Sequence, residues 1–477
     1  MKDTTEASSR PAALLQAWKD ILEAHRPAFK QKRTYLRMVA LSLGELFGFA
    51  RHTVTQGLLA LGMTDADWTA WYRLFSRARY EEETLAHHLF LETLRHQPEK
   101  QVYVIGVDAT QVPRSSQKMP GTAWHKAPRT PPFKIGIHRA QRFVHGSWLV
   151  PRAEGYSRAV PLRFLPAFTP KAVPAEVEPQ REWKAGLAFT RWVREELDAA
   201  GREQEHMLTL GDGAYDCAEL WRELPERTTL VARCARNRHL HALPEPQSGR
   251  GRRRKYGVEL PHPAEFLQQR DAFKTHWVEV RGRSRRMRYQ LVGPCLRERA
   301  PERPLYLLVI GGETWQSGSK VKRERRREPA FYLISAEQRE GQWQMPLPVE
   351  EILAWVWQRW ELEVAHREMK SGLGVGEMQC WNRRSTVVSV QWSVWLYATL
   401  VLAGYRAWGL LNGPATPARW WRGARRWSLN TLWRAYRSAL WGTGKFRAVW
   451  ARSDTNWPEK EAYLAGAWNA MGAAARA

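Results

Sequence analysis

Cysteine is scarce in this chain, with four residues among 477. Cys217, Cys234, Cys295 and Cys380 lie far apart and form no C-x-x-C pair. That excludes a disulfide scaffold, argues against a structural zinc site and fits a reducing compartment. Long apolar runs are missing too. None reaches the ~18 uninterrupted residues of a membrane span, and the opening M-K-D-T-T-E-A has no secretory apolar core. A cytoplasmic protein without membrane attachment is therefore expected. Acidic residues are in deficit, 48 against 74 basic ones, which leaves a net charge of +26 and a pI near 10.3. That balance favours a polyanionic partner, nucleic acid first and an anionic membrane surface second.

What the chain has in excess is tryptophan, 26 residues. Most belong in a core, where large aromatics dominate burial, while a few can stack on bases. The positive charge is uneven. Residues 1–98 hold 13 basic and 11 acidic side chains, residues 241–345 hold 22 and 12, and residues 411–477 hold 11 and 3. A polyanion should therefore lie mainly against the middle and the end of the chain.

Residues 1–98 read as short amphipathic helices: Ala12–His25, Tyr35–Phe47, His52–Leu61, Asp65–Ser76 and Thr84–His96. Gly44 and Gly57 weaken two of these assignments. The pattern allows a helix-turn-helix with His52–Leu61 as recognition helix, or a plain bundle packed on the rest. Near Pro98 the composition changes. Val102–Val107 (V-Y-V-I-G-V) reads as a buried strand ending at Asp108, followed by a Pro-, Ser- and Lys-rich loop over Gln111–Pro132. Strands Phe143–Val150 and Ala159–Phe168 complete a meander. A helix over Trp183–Ala199 leads to the strand His206–Leu210, which ends in G-D-G-A-Y-D with Asp212 at its edge. Strands alternating with helices indicate an α/β sheet, whose ligands gather at the carboxyl ends of strands. Asp108 and Asp212 both sit at such ends, although either alone reads more readily as an ordinary turn residue capping the next element. Asp216 reads as an N-cap.

Residues 241–345 read as a basic, β-rich insertion. Its two basic runs contain Arg252, Arg253, Arg254 and Lys255, then Lys322, Arg323, Arg325 and Arg326. They are solvated loops at least and phosphate contacts at best. Thr386–Trp408 is a long apolar helix interrupted by Gln391, Ser393 and Tyr397, which suits burial better than a membrane. Beyond Gly413-Pro414, R-W-W-R-G-A-R-R-W and W-R-A-Y-R interleave aromatic and basic residues. They could hold a nucleic-acid backbone or simply lay arginine stems over aromatic rings.

The stretch Trp355–Lys370, W-V-W-Q-R-W-E-L-E-V-A-H-R-E-M-K, reads as one helix without Gly or Pro. Arg359, Glu363, His366 and Lys370 fall on one front, with apolar shoulders on both sides. Gln358, Glu361 and Glu368 fall on the back, so Glu361 and Glu368 are expected in solvent. A carboxylate between apolar shoulders is costly unless it is paired or bound to metal. Glu363 is therefore either a catalytic acid or half of a structural ion pair.

Three acids thus stand out in order: Asp108, Asp212 and Glu363. With V-I-G-V-D-A-T, T-L-G-D-G-A-Y-D and R-W-E-L-E-V-A-H-R-E-M-K around them, residues 99–410 resemble the DDE transposases of bacterial insertion sequences, the cut-and-paste group with a β-rich insertion before the last acid. Arg359, Glu363 and Lys370 match that group's Y-R-E-K signature, while Val356 stands where its tyrosine would be. The resemblance implies an α/β fold with a ribonuclease H-like core: a first part at 99–240, the insertion at 241–345, and closing helices at 346–410. A helical DNA-binding domain at 1–98 and a basic helical region at 411–477 flank it. It further implies two Mg²⁺ or Mn²⁺ ions. Asp108 would bridge them, and Asp212 and Glu363 would each complete one; three hard oxygen donors suit such ions. Arg359, His366 and Lys370 would hold phosphates. The implied partners are double-stranded DNA, both terminal inverted repeats and target, and a second copy of the chain in the DNA complex, at the bacterial nucleoid. Two other readings stay open: a catalytically inactive, domesticated DNA-binding protein, and a nuclease of the same fold without strand transfer.

Overall fold

In a computed structural model of the chain, the described residues are 3–48, 51–61, 63, 67–127, 136–170, 180–247, 252–317, 323–414 and 426–441. Five helices come first: α1 (Asp3–Ala24), α2 (Lys32–Phe47), α3 (Val54–Ala60), α4 (Thr69–Ser76) and α5 (Glu82–Leu94). Gly44 and Gly57, which weaken the helical pattern in sequence, are where α2 and α3 cross. A Cβ on Gly44 would lie 2.5 Å from the Gly57 carbonyl oxygen. Thr53 caps α3 by accepting from the Gln56 amide at 3.2 Å. The described part of α3 offers solvent Leu59 and Ala60 rather than basic side chains.

The strands follow: β1 (Tyr103–Pro113), β2 (Ala123–Lys126), β3 (Ile137–Leu149) and β4 (Ala159–Pro166), then α6 (Glu182–Ala199), β5 (Met207–Gly211), α7 (Ala218–Arg222) and β6 (Thr228–Arg233). β4, β3 and β1 form an antiparallel meander, and β1, β5 and β6 run parallel. The expected loop after Asp108 is partly strand, because β1 continues to Pro113 along β3 and residues 123–126 pair on β3's far side.

Residues 240–344 supply β7 (Leu240–Ala242), β8 (Lys274–Glu279), β9 (Ser284–Arg297), β10 (Ala300–Ile310), β11 (Glu313–Ser317), β12 (Arg323–Arg327), β13 (Ala330–Ser335), β14 (Glu337–Arg339) and β15 (Gln342–Gln344). The stretch is β-rich, as expected, but it does not stand apart from the core. β13 pairs with β6, and β10, β9 and β7 follow, so the central sheet has eleven strands among the described residues. Leu305, Leu307, Leu308 and Val309 are fully buried, and joining the sheet also covers the edge that β6 would otherwise expose.

Four helices close the described chain: α8 (Val349–Val356), α9 (Trp360–Gly372), α10 (Ser385–Trp408) and α11 (Leu429–Trp441). α10 is apolar and long enough to cross a membrane, yet its most apolar window is 94% buried inside the protein. It packs on α1 and β4, and α11 packs on α1 and α2. Trp18 of α1 donates to Thr399 of α10, and Arg437 of α11 donates to the carbonyls of Leu46 and Gly48. One hydrophobic core therefore runs unbroken from Leu14 to Tyr436, across residue 98.

Candidate active site

β1 and β5 are paired in parallel up to Gly106 and Leu210. Two residues further on, Asp108 and Asp212 stand level on neighbouring chains, about 4.8 Å being the usual spacing of such strands. Asp212 leaves the end of β5 as expected, and its carboxylate accepts from the Ala214 amide at 2.9 Å, capping a short 3₁₀ turn. Asp108 differs from the expectation. It lies in the middle of β1, opposite His145 of β3, because the antiparallel ladder continues after the parallel one stops. Its carboxylate is at the end of the parallel ladder, which is where ligands gather.

α9 lies along β1. Leu362 sits over Gly106, His366 against His145 with ring centres 4.7 Å apart, and the Lys370 ammonium donates to Thr110 at 2.6 Å. Residues 362, 366 and 370 are successive turns of one helix line, and 106, 108 and 110 share one strand face, so the two elements run alongside each other. This brings Glu363 to Asp108 through Arg359. One guanidinium nitrogen is 2.8 Å from Glu363 and the other 3.6 Å from Asp108. A Cβ on Gly106 would lie 2.8 Å from Leu362. Gly106→Val should therefore lift α9 and cost about 1–3 kcal/mol by overpacking. Adding Leu362→Ala should recover part of that loss, as read by urea unfolding. No recovery would show that the close approach does not set the helix position.

The helix itself departs from the expectation. Trp355–Lys370 is not one helix, because residues 357–359 form a tight turn between α8 and α9, with three-residue hydrogen bonds such as Gln358 to Trp355 at 2.8 Å. Arg359 nevertheless keeps a helical backbone and stays on the side of Glu363.

Burial pushes the Asp108 carboxyl up to about 7; Asp212, Glu363 and Glu182 add to the rise and Arg359 opposes it. In the unfolded chain the same group titrates near the ordinary 3.8. The metal-free protein should thus lose stability as pH rises from about 4 to about 7, since the unfolded chain gives up its proton first. The expected slope is about 1.4 kcal/mol per pH unit at most. Asp108→Asn should remove it, as compared by urea unfolding in chelator at several pH values. Parallel curves for variant and parent would contradict the assignment. Burial lowers Lys370, opposed by Asp108, and drives His366 well below 6.5, helped by His145, Lys370 and Arg359. The His366 ring lies against His145, with Nε2 buried and unpartnered among the described residues.

The two glutamates expected in solvent are buried. Glu361 is 4% exposed and pairs with Arg426 and, at 3.9 Å, with Arg281; Glu368 is 7% exposed and pairs with Arg158 at 2.6 Å. The back of α9 is covered by Arg158, Tyr397 and the segment leading into α11. Asp216 is likewise no N-cap. Arg297 and Arg238 pair with its carboxylate, Trp221 donates to it at 3.1 Å, and Cys217 occupies the cap position of α7.

Arg252, Arg253, Arg254 and Lys255 are exposed outside regular structure. Arg325 and Arg326 are exposed on the hairpin β11–β12, Arg323 lies in β12, and Lys322 lies outside the described residues. Of the Trp/Arg-rich end, residues 415–425 lie outside the described residues. Trp427, Trp433 and Arg437 are buried, with Arg158 stacked 4.2 Å from the Trp427 ring centre. Among the described residues of this end, the Arg437 guanidinium lies 5.5 Å from the Trp433 ring centre.

Sequence reasoning missed Glu182, the first residue of α6, whose side chain is 11% exposed and pairs with Arg142 of β3. Burial raises its carboxyl, Arg142 opposes, and Asp212 adds to the rise. An acid at a helix start after a strand was the available signal.

Residues 26–289, more than half of the chain, match the family model of the DDE superfamily endonucleases. The chain belongs to that family. Membership makes it a nuclease-type enzyme acting on DNA, in a family that generally uses divalent metals. The match runs across residue 98 and includes Asp108 and Asp212; Glu363 lies beyond it. No curated protein matches the chain. Among the described residues, no three His, Cys, Asp or Glu side chains already stand as a metal-holding group. The donor chemistry fits a divalent ion all the same: hard carboxylate oxygens, the Asp108 carboxyl raised chiefly by burial, with the Arg359 guanidinium between Asp108 and Glu363.

Proposed function

We propose that the protein is a DNA transposase, cutting at the ends of its own element and joining them to target DNA. The observation that carries this is the meeting of Asp108 and Asp212, level on adjacent parallel chains, with Glu363 brought to Asp108 through Arg359. The strand order β4-β3-β1-β5-β6, a meander followed by two parallel strands, supports a ribonuclease H-like core. Asp108, Asp212 and Glu363 would hold two Mg²⁺ or Mn²⁺ ions, which when bound would activate the attacking oxygen and stabilise the leaving one. The chain's own work is placement. Arg359 and Lys370 hold phosphates beside the scissile bond, Thr110 orients Lys370, and the exposed arginines at 252–254, 325 and 326 grip the flanking backbone. Two ends must be held together, which calls for a dimer in the DNA complex, at the bacterial nucleoid.

The test uses purified protein, Mg²⁺ and the terminal inverted repeats that flank its gene. Nicking at those ends, followed by joining of precut ends to a target plasmid, is expected. Nicking without joining would leave a nuclease of this fold. Binding without nicking would leave a domesticated DNA-binding protein.

A further inference from the structure

The Arg142–Glu182 pair borders the acids and is absent from the roles assigned above. Glu182 opens α6, and its carboxylate is nearly enclosed. Arg142 reaches it from β3, three residues before His145, the cross-strand neighbour of Asp108. The spacing between α6 and the end of β5 is set by Tyr215, whose ring is wedged between two glycines. A Cβ on Gly186, one turn along α6 from Glu182, would lie 2.3 Å from that ring, and one on Gly211, beside Asp212, would lie 2.9 Å from the Tyr215 Cβ. Neither glycine has room for a side chain, so Glu182 and Asp212 are held at a fixed separation. The Tyr215 hydroxyl is fully buried, has no hydrogen-bond partner among the described residues, and lies within electrostatic reach of Glu182, Asp108 and Asp212. A buried hydroxyl left without a partner beside three carboxylates marks a site built to receive something polar.

We infer that Glu182 is a positioning residue for cation binding, adding negative charge beside Asp212, and that Arg142 withholds part of that charge. This rests on the metal-binding role proposed for Asp108 and Asp212. A divalent cation entering between those acids is drawn by all three carboxylates and repelled by the guanidinium. The pair therefore sets how tightly the ion is held without touching it. A pair that merely braced α6 against β3 would show a different signature, because breaking it from either side would have the same effect.

The experiment measures Mn²⁺ binding to the full-length protein without DNA, by the electron paramagnetic resonance signal of free Mn²⁺, with thermal unfolding in chelator as the fold control. Glu182→Gln should weaken binding about tenfold, and Arg142→Gln should tighten it about as much, the sign following from Coulomb's law. Glu182→Asp, which keeps the charge, should recover most of the affinity and stands in if Glu182→Gln fails to fold. In an Asp212→Asn background, Glu182→Gln should have little further effect. Equal weakening by Glu182→Gln and Arg142→Gln, or no change in either, overturns this inference alone, provided that Asp108→Asn and Asp212→Asn still abolish binding. Mn²⁺ binding indifferent to those two variants overturns the metal reading itself and this inference with it.

Discussion

Asp108→Ala, Asp212→Ala and Glu363→Ala should each lower DNA cleavage by about 10³-fold or more while leaving DNA affinity within a few-fold of the parent. The expectation follows from where the three carboxylates stand. Asp108 and Asp212 stand at the end of the parallel ladder, Glu363 reaches Asp108 through Arg359, and all three touch the surrounding protein lightly. Asp212 accepts one backbone amide, Asp108 is 3.6 Å from Arg359, and Glu363 is about a third exposed. Removing them relieves mutual repulsion rather than breaking a support, so the fold should survive. Affinity for DNA comes mostly from phosphate contacts by basic side chains elsewhere. The internal control is Arg367→Ala, an exposed neighbour on α9, which should leave both cleavage and binding near the parent. Cleavage that persists without Glu363 but vanishes without another acid of α9 would show that the third carboxylate was misassigned.

The sequence makes this trio legible for two separate reasons. Asp108 and Asp212 each follow a β-branched or apolar run, and in an α/β sheet such positions converge because parallel neighbours end at one edge. Glu363 is picked out by phase, since offsets of three and four residues tie it to Arg359, His366 and Lys370, and all four do face the sheet side of α9. The same wheel fails for Glu361 and Glu368. A helical wheel can separate two faces, but it cannot say whether both are covered. Here the second face is covered by Arg158, Arg426 and Tyr397, and the separation of 210 residues between Arg158 and Glu368 leaves no local trace.

The strands after β6 teach a related lesson. Their alternation and turns are local and were readable, but their partner was not. Whether β13 pairs with β6 or within its own sheet depends on an edge more than ninety residues earlier. Gly44 and Gly57 count against helix by propensity, yet Gly44 is required where two helices touch, because a Cβ there would meet the Gly57 backbone. The interleaved Trp and Arg near the C-terminus offered nucleic-acid binding or packing with equal force. Composition could not choose between them; Trp427, Trp433 and Arg437 are buried, Arg434 is exposed, and residues 419–425 of the first motif lie outside the described residues.

That second face of α9 carries the largest stability effect. One oxygen of Glu368 receives both the Arg158 guanidinium and the Tyr397 hydroxyl at 2.6 Å, while Arg158 also donates to the Trp427 carbonyl at 3.1 Å and lies over that residue's ring. Burial alone would lower the Arg158 basicity, and Glu368, with Tyr397 and Glu361, more than offsets it. Glu368→Ala strands a guanidinium that is 2% exposed, and the cost should be about 3–5 kcal/mol. Tyr397→Phe removes one charge-assisted hydrogen bond and should cost about 1.5–3 kcal/mol. The double change Arg158→Met with Glu368→Leu leaves no stranded charge and should cost less than Glu368→Ala alone. Urea unfolding of the four proteins measures this, and the ranking matters more than any single value. Because Glu368 fixes the helix that bears Glu363, its loss should also reduce cleavage, but with a lowered unfolding midpoint that the Glu363 variant does not show. A Glu368→Ala protein unfolding at the parent's midpoint would mean that the buried pair does not hold α9, and that the sheet contacts of Leu362, His366 and Lys370 position the helix unaided.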